Sequence, residues 1–337
     1  MTLPDTTALF AAHPWLFPSF AALIGLLIGS FLNVVIVRLP QMMTRDWAAQ
    51  CQAWQEAEAA ELAAAAVGAQ AQESGAGHAA AGTDARDDML PKTALNTDGA
   101  VDIAPDLPAQ PTERFDLAWP PSHCPQCDHR LRWHENLPVI GWLRLRGRCA
   151  HCASPIPWHY PAVEVLTALL FALCAWQFGP DVTAVTAMGL CAALVALAFI
   201  DAQTSLLPDD ITLPLLWAGL LLNIGGMFAT LTDAVLGAAL GYGLLWLVFQ
   251  AFRLATGKEG MGFGDFKLLA ALGAWLGWRA LPEILLFSSL AGVLVGGVLL
   301  LTGRAQRSDP LPFGPYLAAA GLLCLLVRQN GAGLLGF

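Results

Sequence analysis

Met261-Gly262-Phe263-Gly264-Asp265-Phe266-Lys267 sets one carboxylate, behind two glycines, between two long apolar stretches. Glycine lacks a Cβ, so backbone can approach closely at each. A carboxylate at a membrane boundary is costly unless it is paired or used. A second acid stands in a matching place: Asp201 closes the apolar run 191–200 and is followed by Leu206-Leu207-Pro208-Asp209-Asp210-Ile211-Thr212. Asp201 and Asp265 are expected to face each other and share one task.

Working outward, the 337-residue chain is 56% apolar and only 13% charged, about half the charge of a typical soluble domain. Apolar runs of spanning length recur at about 17–37, 159–178, 182–200, 211–229, 233–252, 266–281, 283–302 and 312–328. The expected fold is all-α: a polytopic membrane protein with about eight transmembrane helices and a small zinc-binding cytoplasmic domain inserted after the first. The sixth span is short, with Trp278 and Pro282 marking a turn at the interface. No cleavable signal is expected, because the opening residues lack a basic segment and the first run leads into Asn33, Arg38 and Pro40.

The net charge of −9 is unevenly held. Residues 46–122 carry 13 acids and 3 bases, a balance of −10, and the rest carries 13 acids and 14 bases, a balance of +1. The acidity belongs to one insert and gives no reason to expect a nucleic-acid partner. Within it, 47–67 is rich in Ala, Gln and Glu and reads as an exposed helix, whereas 68–114 has too few large apolar residues to offset ordering and reads as a flexible linker. The domains expected are therefore 1–40 (first helix), 41–114 (acidic insert), 115–158 (zinc-binding cytoplasmic domain) and 159–337 (a seven-helix membrane domain).

Gly25, Gly29, Ser30 and Asn33 repeat along one face of the first span, which suits close packing on another helix; a place for Asn33 near the active site is the competing reading. With eight spans and both termini outside, 15 of 17 basic residues are cytoplasmic, and only Arg279 and Arg328 fall outside. Both aspartates then lie at the cytoplasmic face, on the same side as the cysteine block.

Cys124-Pro125-Gln126-Cys127 and Cys149-Ala150-His151-Cys152 are separated by 21 residues. Two such pairs on turns present four thiolates tetrahedrally to zinc, as a closed structural clamp. Disulfides are the alternative, and a reducing compartment disfavours them. His123 and His151 flank the ligands. Cys174, Cys191 and Cys324 lie in apolar runs, where a thiol acts as a small hydrophobe.

Two carboxyl groups in a confined site share a proton rather than both ionising. The ionised one can take a proton from water while the other donates to a carbonyl or leaving amine, so amide hydrolysis follows. The alternative is that each aspartate caps a helix or pairs with a base. Asp209 and Asp210, after Pro208, suit a helix N-terminus. Glu164, a turn inside the second span, either lines the site or pairs with an arginine. Lys267 either reaches lipid head groups or supports the ionised aspartate.

The stretch 25–40, the two cysteine pairs, Tyr160-Pro161-Ala162-Val163-Glu164, the stretch 201–212, Gly262-Phe263-Gly264-Asp265-Phe266-Lys267 and Pro312-Phe313-Gly314-Pro315-Tyr316 occur in one order. Together they resemble the type IV prepilin peptidases, bifunctional leader peptidase/N-methyltransferases and GxGD-type membrane aspartic proteases of bacterial type IV pilus and type II secretion systems. The resemblance covers the chain outside about residues 50–112. It implies that Asp201 and Asp265 are catalytic, with Gly262, Gly264, Lys267 and Glu164 as supporting residues. It further implies prepilin or pseudopilin substrates cut at the cytoplasmic face of the inner membrane, and methylation of the new N-terminal residue with S-adenosylmethionine. Gly141 stands where such proteins commonly carry serine, in the loop associated with methylation. Two other readings remain. An ion- or proton-coupled transporter would place its acids at the midplane and show an inverted repeat; a non-catalytic assembly protein would use the zinc loop to dock partners.

Overall fold

Lipid offers the backbone no hydrogen bonds, so segments this apolar must satisfy themselves as helices. A computed structural model describes residues 13–76, 114–257, 261–303 and 311–327, with side chains through residue 61 in the first stretch. Among them the α-helices are α1 (Leu16–Ala76), α2 (Ile140–Arg144), α3 (His159–Phe178), α4 (Val182–Thr204), α5 (Asp209–Leu222), α6 (Leu231–Thr256), α7 (Phe263–Leu276), α8 (Leu281–Leu301) and α9 (Gly314–Val327). The β-pairing among these residues is two isolated bridges, His123 with Arg130 and Arg148 with Pro155. Five stretches, Leu16–Glu61, His159–Phe178, Val182–Thr204, Leu231–Thr256 and Trp278–Leu301, are long and apolar enough to cross a membrane. The protein is a mostly helical membrane protein.

By its contacts the chain divides into two compact units, Met1–Pro40 with Asp116–Phe337, and Gln41–Phe115. In the second, Arg45 lies over the Phe115 ring, 3.8 Å from its centroid. Of the linker expected at 68–114, residues 68–76 instead continue α1, and 77–113 lie outside the described residues. The separate helix expected at 47–67 is instead continuous with the first span, Pro40 included. The physical reason is composition: good helix formers follow Pro40, and no glycine occurs before Gly68.

Two other boundaries move. The helix expected at 211–229 ends at Leu222, because buried Asn223 turns the chain. Its amide donates to the Ala274 and Trp275 carbonyls (2.8 and 3.0 Å), and its oxygen accepts from the Phe228 and Ala229 N–H groups (2.9 and 3.0 Å). The helix expected at 266–281 begins at Phe263 and stops at Leu276, where Gly277 takes φ +78° and its N–H caps the Gly273 carbonyl.

At 14 residues, α7 is about 21 Å long, short of the roughly 30 Å hydrocarbon core. It is sheathed by protein rather than lipid: Phe266 and every residue from Leu268 to Leu276 are buried. α6 and α7 touch backbone to backbone at Gly237 and Gly273, where a Cβ on either would strike the other's carbonyl oxygen. Gly241, one turn on, meets the Leu269 carbonyl in the same way, so Gly237 and Gly241 form a small-residue contact stripe. α8 is the outward extreme, with Leu286, Leu290, Val293, Leu294 and Val298 exposed.

The small face of α1 packs on α3. A Cβ on Gly25 or Gly29 would lie 2.7 Å from the Cα of Ala168 or Glu164. Asn33 donates from Nδ2 to the Tyr160 carbonyl at 3.0 Å, tying α1 to the start of α3.

Candidate active site and tetracysteine centre

Asp201 stands in the last turn of α4, which ends where Ser205 takes φ 53° and its N–H caps the Asp201 carbonyl at 2.8 Å. Asp265 stands in the first turn of α7, its N–H reaching the Gly262 carbonyl at 3.3 Å. Both are buried, at 5% and 7% exposure, and they are close enough for their charges to interact. The close packing of Gly264 makes this possible: a Cβ there would lie 2.7 Å from Cβ of Leu207, in the turn leading from α4 to α5. Gly262 is different, since a Cβ there meets nothing nearer than 4.0 Å.

A third element completes the site. The Gly314 N–H, at the start of α9, donates to Asp201 Oδ2 at 2.9 Å. A helix N-terminus has backbone N–H groups to spare and favours negative charge. A Cβ on Gly314 would fall 2.6 Å from that same oxygen. The Pro312-Phe313-Gly314-Pro315-Tyr316 motif is thus a carboxylate cradle, a role that its residue types alone do not disclose. Asp265 Oδ1 is the one buried side-chain polar atom without a partner among the described residues.

Lys267 points elsewhere. Its Nζ lies 2.7 Å from both oxygens of Asp209, a pair open to water on both sides. Asp209 and Asp210 do sit in the first turn of α5, but the capping position is Pro208 and no side chain caps that end. Glu164 neither joins the aspartates nor meets an arginine. Its Oε2 accepts from the Val139 N–H at 2.7 Å.

The four cysteines converge, with their Sγ atoms all within 4.8 Å of one another. Cys124 and Cys152 are 3.8 Å apart, Cys127 and Cys149 3.9 Å. Four sulfurs held 2.3 Å from a tetrahedral zinc would be roughly 3.8 Å apart, so the donor set and spacing are compatible with zinc. The two halves are built alike. In each, the first cysteine's N–H bonds the carbonyl five residues on (His129, 2.9 Å; Ser154, 2.8 Å). In each, the residue after the second cysteine turns with positive φ (Asp128, 53°; Ala153, 58°).

Ser154 is the residue missed from sequence, its Oγ lying 3.6 Å from Cys124 Sγ and 3.1 Å from Cys152 Sγ. With no metal bound, the Gln126 backbone N–H and then the Ser154 hydroxyl bring the Cys124 thiol down to about 6. The same hydroxyl lowers Cys152. At Cys127 the His129 N–H favours the thiolate, but desolvation and the other sulfurs outweigh it and push the thiol up to about 12. His151 stacks on His129 across the two halves (5.6 Å between centroids), and His123 bonds the Pro121 carbonyl. Glu135 is held below its ordinary value by the Arg132 N–H, and then by His129.

The bacterial peptidase A24 N-terminal domain matches residues 23–178, and the type IV leader peptidase family matches residues 188–297, a stretch holding both aspartates. The chain belongs to the type IV leader peptidase family. Its relatives include a prepilin leader peptidase/N-methyltransferase of Aeromonas hydrophila, 45% identical over 313 residues, 93% of this chain and 91% of the relative. One of the same name from Burkholderia pseudomallei (strain 1026b) is 45% identical over 330 residues, 98% and 92% of the two chains. A third, from Stutzerimonas stutzeri, is 43% identical over 317 residues, 94% and 92%. The Burkholderia match spans the acidic stretch at 50–112, which lay outside the motif resemblance. No solved structure matches the chain.

Proposed function

We propose that this protein cleaves the leader peptide of prepilins or pseudopilins with Asp201 and Asp265 and then methylates the new N-terminal residue. What carries the reading is the meeting of two buried aspartates from separate helices at one end of the bundle, one of them with an oxygen that has no partner. The Gly314 N–H favours negative charge on Asp201, which suits it to take a proton from the attacking water. Asp265 Oδ1, buried and without a partner among the described residues, is the atom that carries the dyad's proton, and from there it passes to the scissile carbonyl. After the C–N bond breaks, the dyad returns a proton to the leaving amine. Lys267 is outside this chemistry and stabilises the α5–α7 junction through Asp209.

Eight helices, α1 and α3–α9, cross the inner membrane in this reading, with both termini periplasmic and the dyad at the cytoplasmic face. The domain boundaries expected from sequence, 1–40, 41–114, 115–158 and 159–337, accompany it. Zinc on Cys124, Cys127, Cys149 and Cys152 would lock the two cysteine turns together as a structural clamp. Methyl transfer is assigned to the part outside the peptidase match, including the tetracysteine unit, with S-adenosylmethionine as donor.

The test is mass spectrometry of a prepilin incubated with purified enzyme and S-adenosylmethionine. A product lacking the leader and heavier by one methyl is expected, with cleavage abolished in Asp201→Asn and Asp265→Asn. Cleavage by either variant at the wild-type rate would overturn the dyad.

A further inference from the structure

Glu164 is a buried carboxylate that the cleavage chemistry does not use. It lies on α3 at 8% exposure, with the Gly29 backbone against its Cα. Its hydrogen-bond partner is far in sequence: the Val139 N–H, at 2.7 Å. Val139 precedes α2 with φ 57°, a conformation that a β-branched side chain resists. A bond to a buried carboxylate is among the stronger kinds of hydrogen bond, and here it holds the chain in that turn.

From Val139, contacts run to both halves of the cysteine cluster. Toward the first half, Gly141 packs on the Glu135 carbonyl, and Glu135 Oε2 meets His129 Nε2 at 3.3 Å. Toward the second, Trp142 donates from Nε1 to the Ile156 carbonyl at 3.2 Å, and the Ile156 N–H reaches the Gly147 carbonyl at 2.7 Å. One side chain on a membrane helix therefore anchors the loop that braces both cysteine turns. Val139 and Glu164 both fall within the N-terminal family match at 23–178, whereas Asp201 and Asp265 fall within the peptidase match at 188–297.

We propose that Glu164 is a positioning residue: it fixes the loop around Val139 relative to the membrane helices, and methyl transfer depends on that anchor while leader cleavage does not. The dependence rests on the assignment of methyl transfer to the N-terminal part.

The experiment uses the purified full chain as wild type, Glu164→Leu and Glu164→Gln. Glutamine keeps an acceptor for the Val139 N–H, and leucine does not. Amide hydrogen exchange at residues 139–145 is read beside leader cleavage, methylation of the cleaved product and metal content. In Glu164→Leu, exchange at Val139 should rise by about tenfold or more, as loss of a hydrogen bond to a charged group implies. The methylated fraction of product should fall at least as far, with cleavage and metal content unchanged. Glu164→Gln should restore both readouts.

Unchanged exchange in Glu164→Leu overturns the anchor. Faster exchange with full methylation overturns its link to methyl transfer, and cleavage falling in step with methylation overturns the separation. A wild-type enzyme that neither cuts nor methylates would sink the functional reading instead, and the exchange comparison would still decide the anchor. Should Glu164→Leu fail to fold, Glu164→Asp, which draws the carboxylate back from the Val139 N–H by one methylene, should shift exchange and methylation in the same direction by a smaller factor.

Discussion

Replacing Gly314 with alanine tests the site most sharply, because the change adds one methyl at a known place. The new Cβ would lie 2.6 Å from Asp201 Oδ2 and 3.0 Å from its Cγ. Carbon and oxygen are comfortable at about 3.3 Å or more, so the carboxylate or the start of α9 must retreat by roughly 0.7 Å. That movement also stretches the 2.9 Å bond from the Gly314 N–H. A hydrogen bond to a charged group is worth about 1.5–3 kcal/mol, and a 1 Å misplacement in a catalytic geometry can cost about a hundredfold. We expect kcat/KM for prepilin cleavage to fall by about a hundredfold, mostly in kcat, on the scale of those two effects. Gly262→Ala is the control within the same site. Its Cβ meets nothing nearer than 4.0 Å, and the backbone there (φ −79°, ψ 148°) suits any residue, so cleavage should stay within about twofold of wild type, as for substitutions that touch nothing. The assay is initial-rate cleavage of a prepilin by purified variants. Near-normal activity in Gly314→Ala, or equal losses in the two, would refute the carboxylate cradle.

Ser154→Ala removes the hydroxyl beside Cys124 and Cys152. Zinc affinity, followed by competition with a chromophoric chelator, should weaken by about 10–100-fold, while the four ligands stay in place. Lys267→Met breaks only a water-exposed pair with Asp209, so a thermal melt should shift by the equivalent of about 1 kcal/mol or less, and cleavage should persist; complete loss would return Lys267 to the catalytic site. Asn223→Ala leaves two buried carbonyls and the half-buried Phe228 and Ala229 N–H groups without their partner. Unfolding in detergent should show a loss of about 3 kcal/mol or more, with cleavage retained below the lowered melting temperature.

The sequence by itself determined the helical membrane fold, the four paired cysteines and the two aspartates. Each announces itself by a local rule that needs no knowledge of the partner: runs of spanning length, Cys-x-x-Cys spacing, and an acid at the end of an apolar run. The packing face of α1 was legible for the same reason, since small residues one turn apart suit little else. What the tertiary structure decided were the pairings. Lys267 was ambiguous because its reach includes both head groups and any nearby acid, and only the folded bundle brings Asp209 to it. Glu164 found a backbone N–H rather than an arginine, and Ser154 found two thiols. Gly262 and Gly264 were legible as close approaches, but only Gly264 makes one, to Leu207, and nothing in the sequence pointed Gly314 at Asp201. Helix ends moved for the same reason: Asn223 ends α5 through bonds to α7, fifty residues away in sequence. A hydrogen bond between distant residues leaves no periodicity in the chain, so its partner becomes known only once the helices are packed.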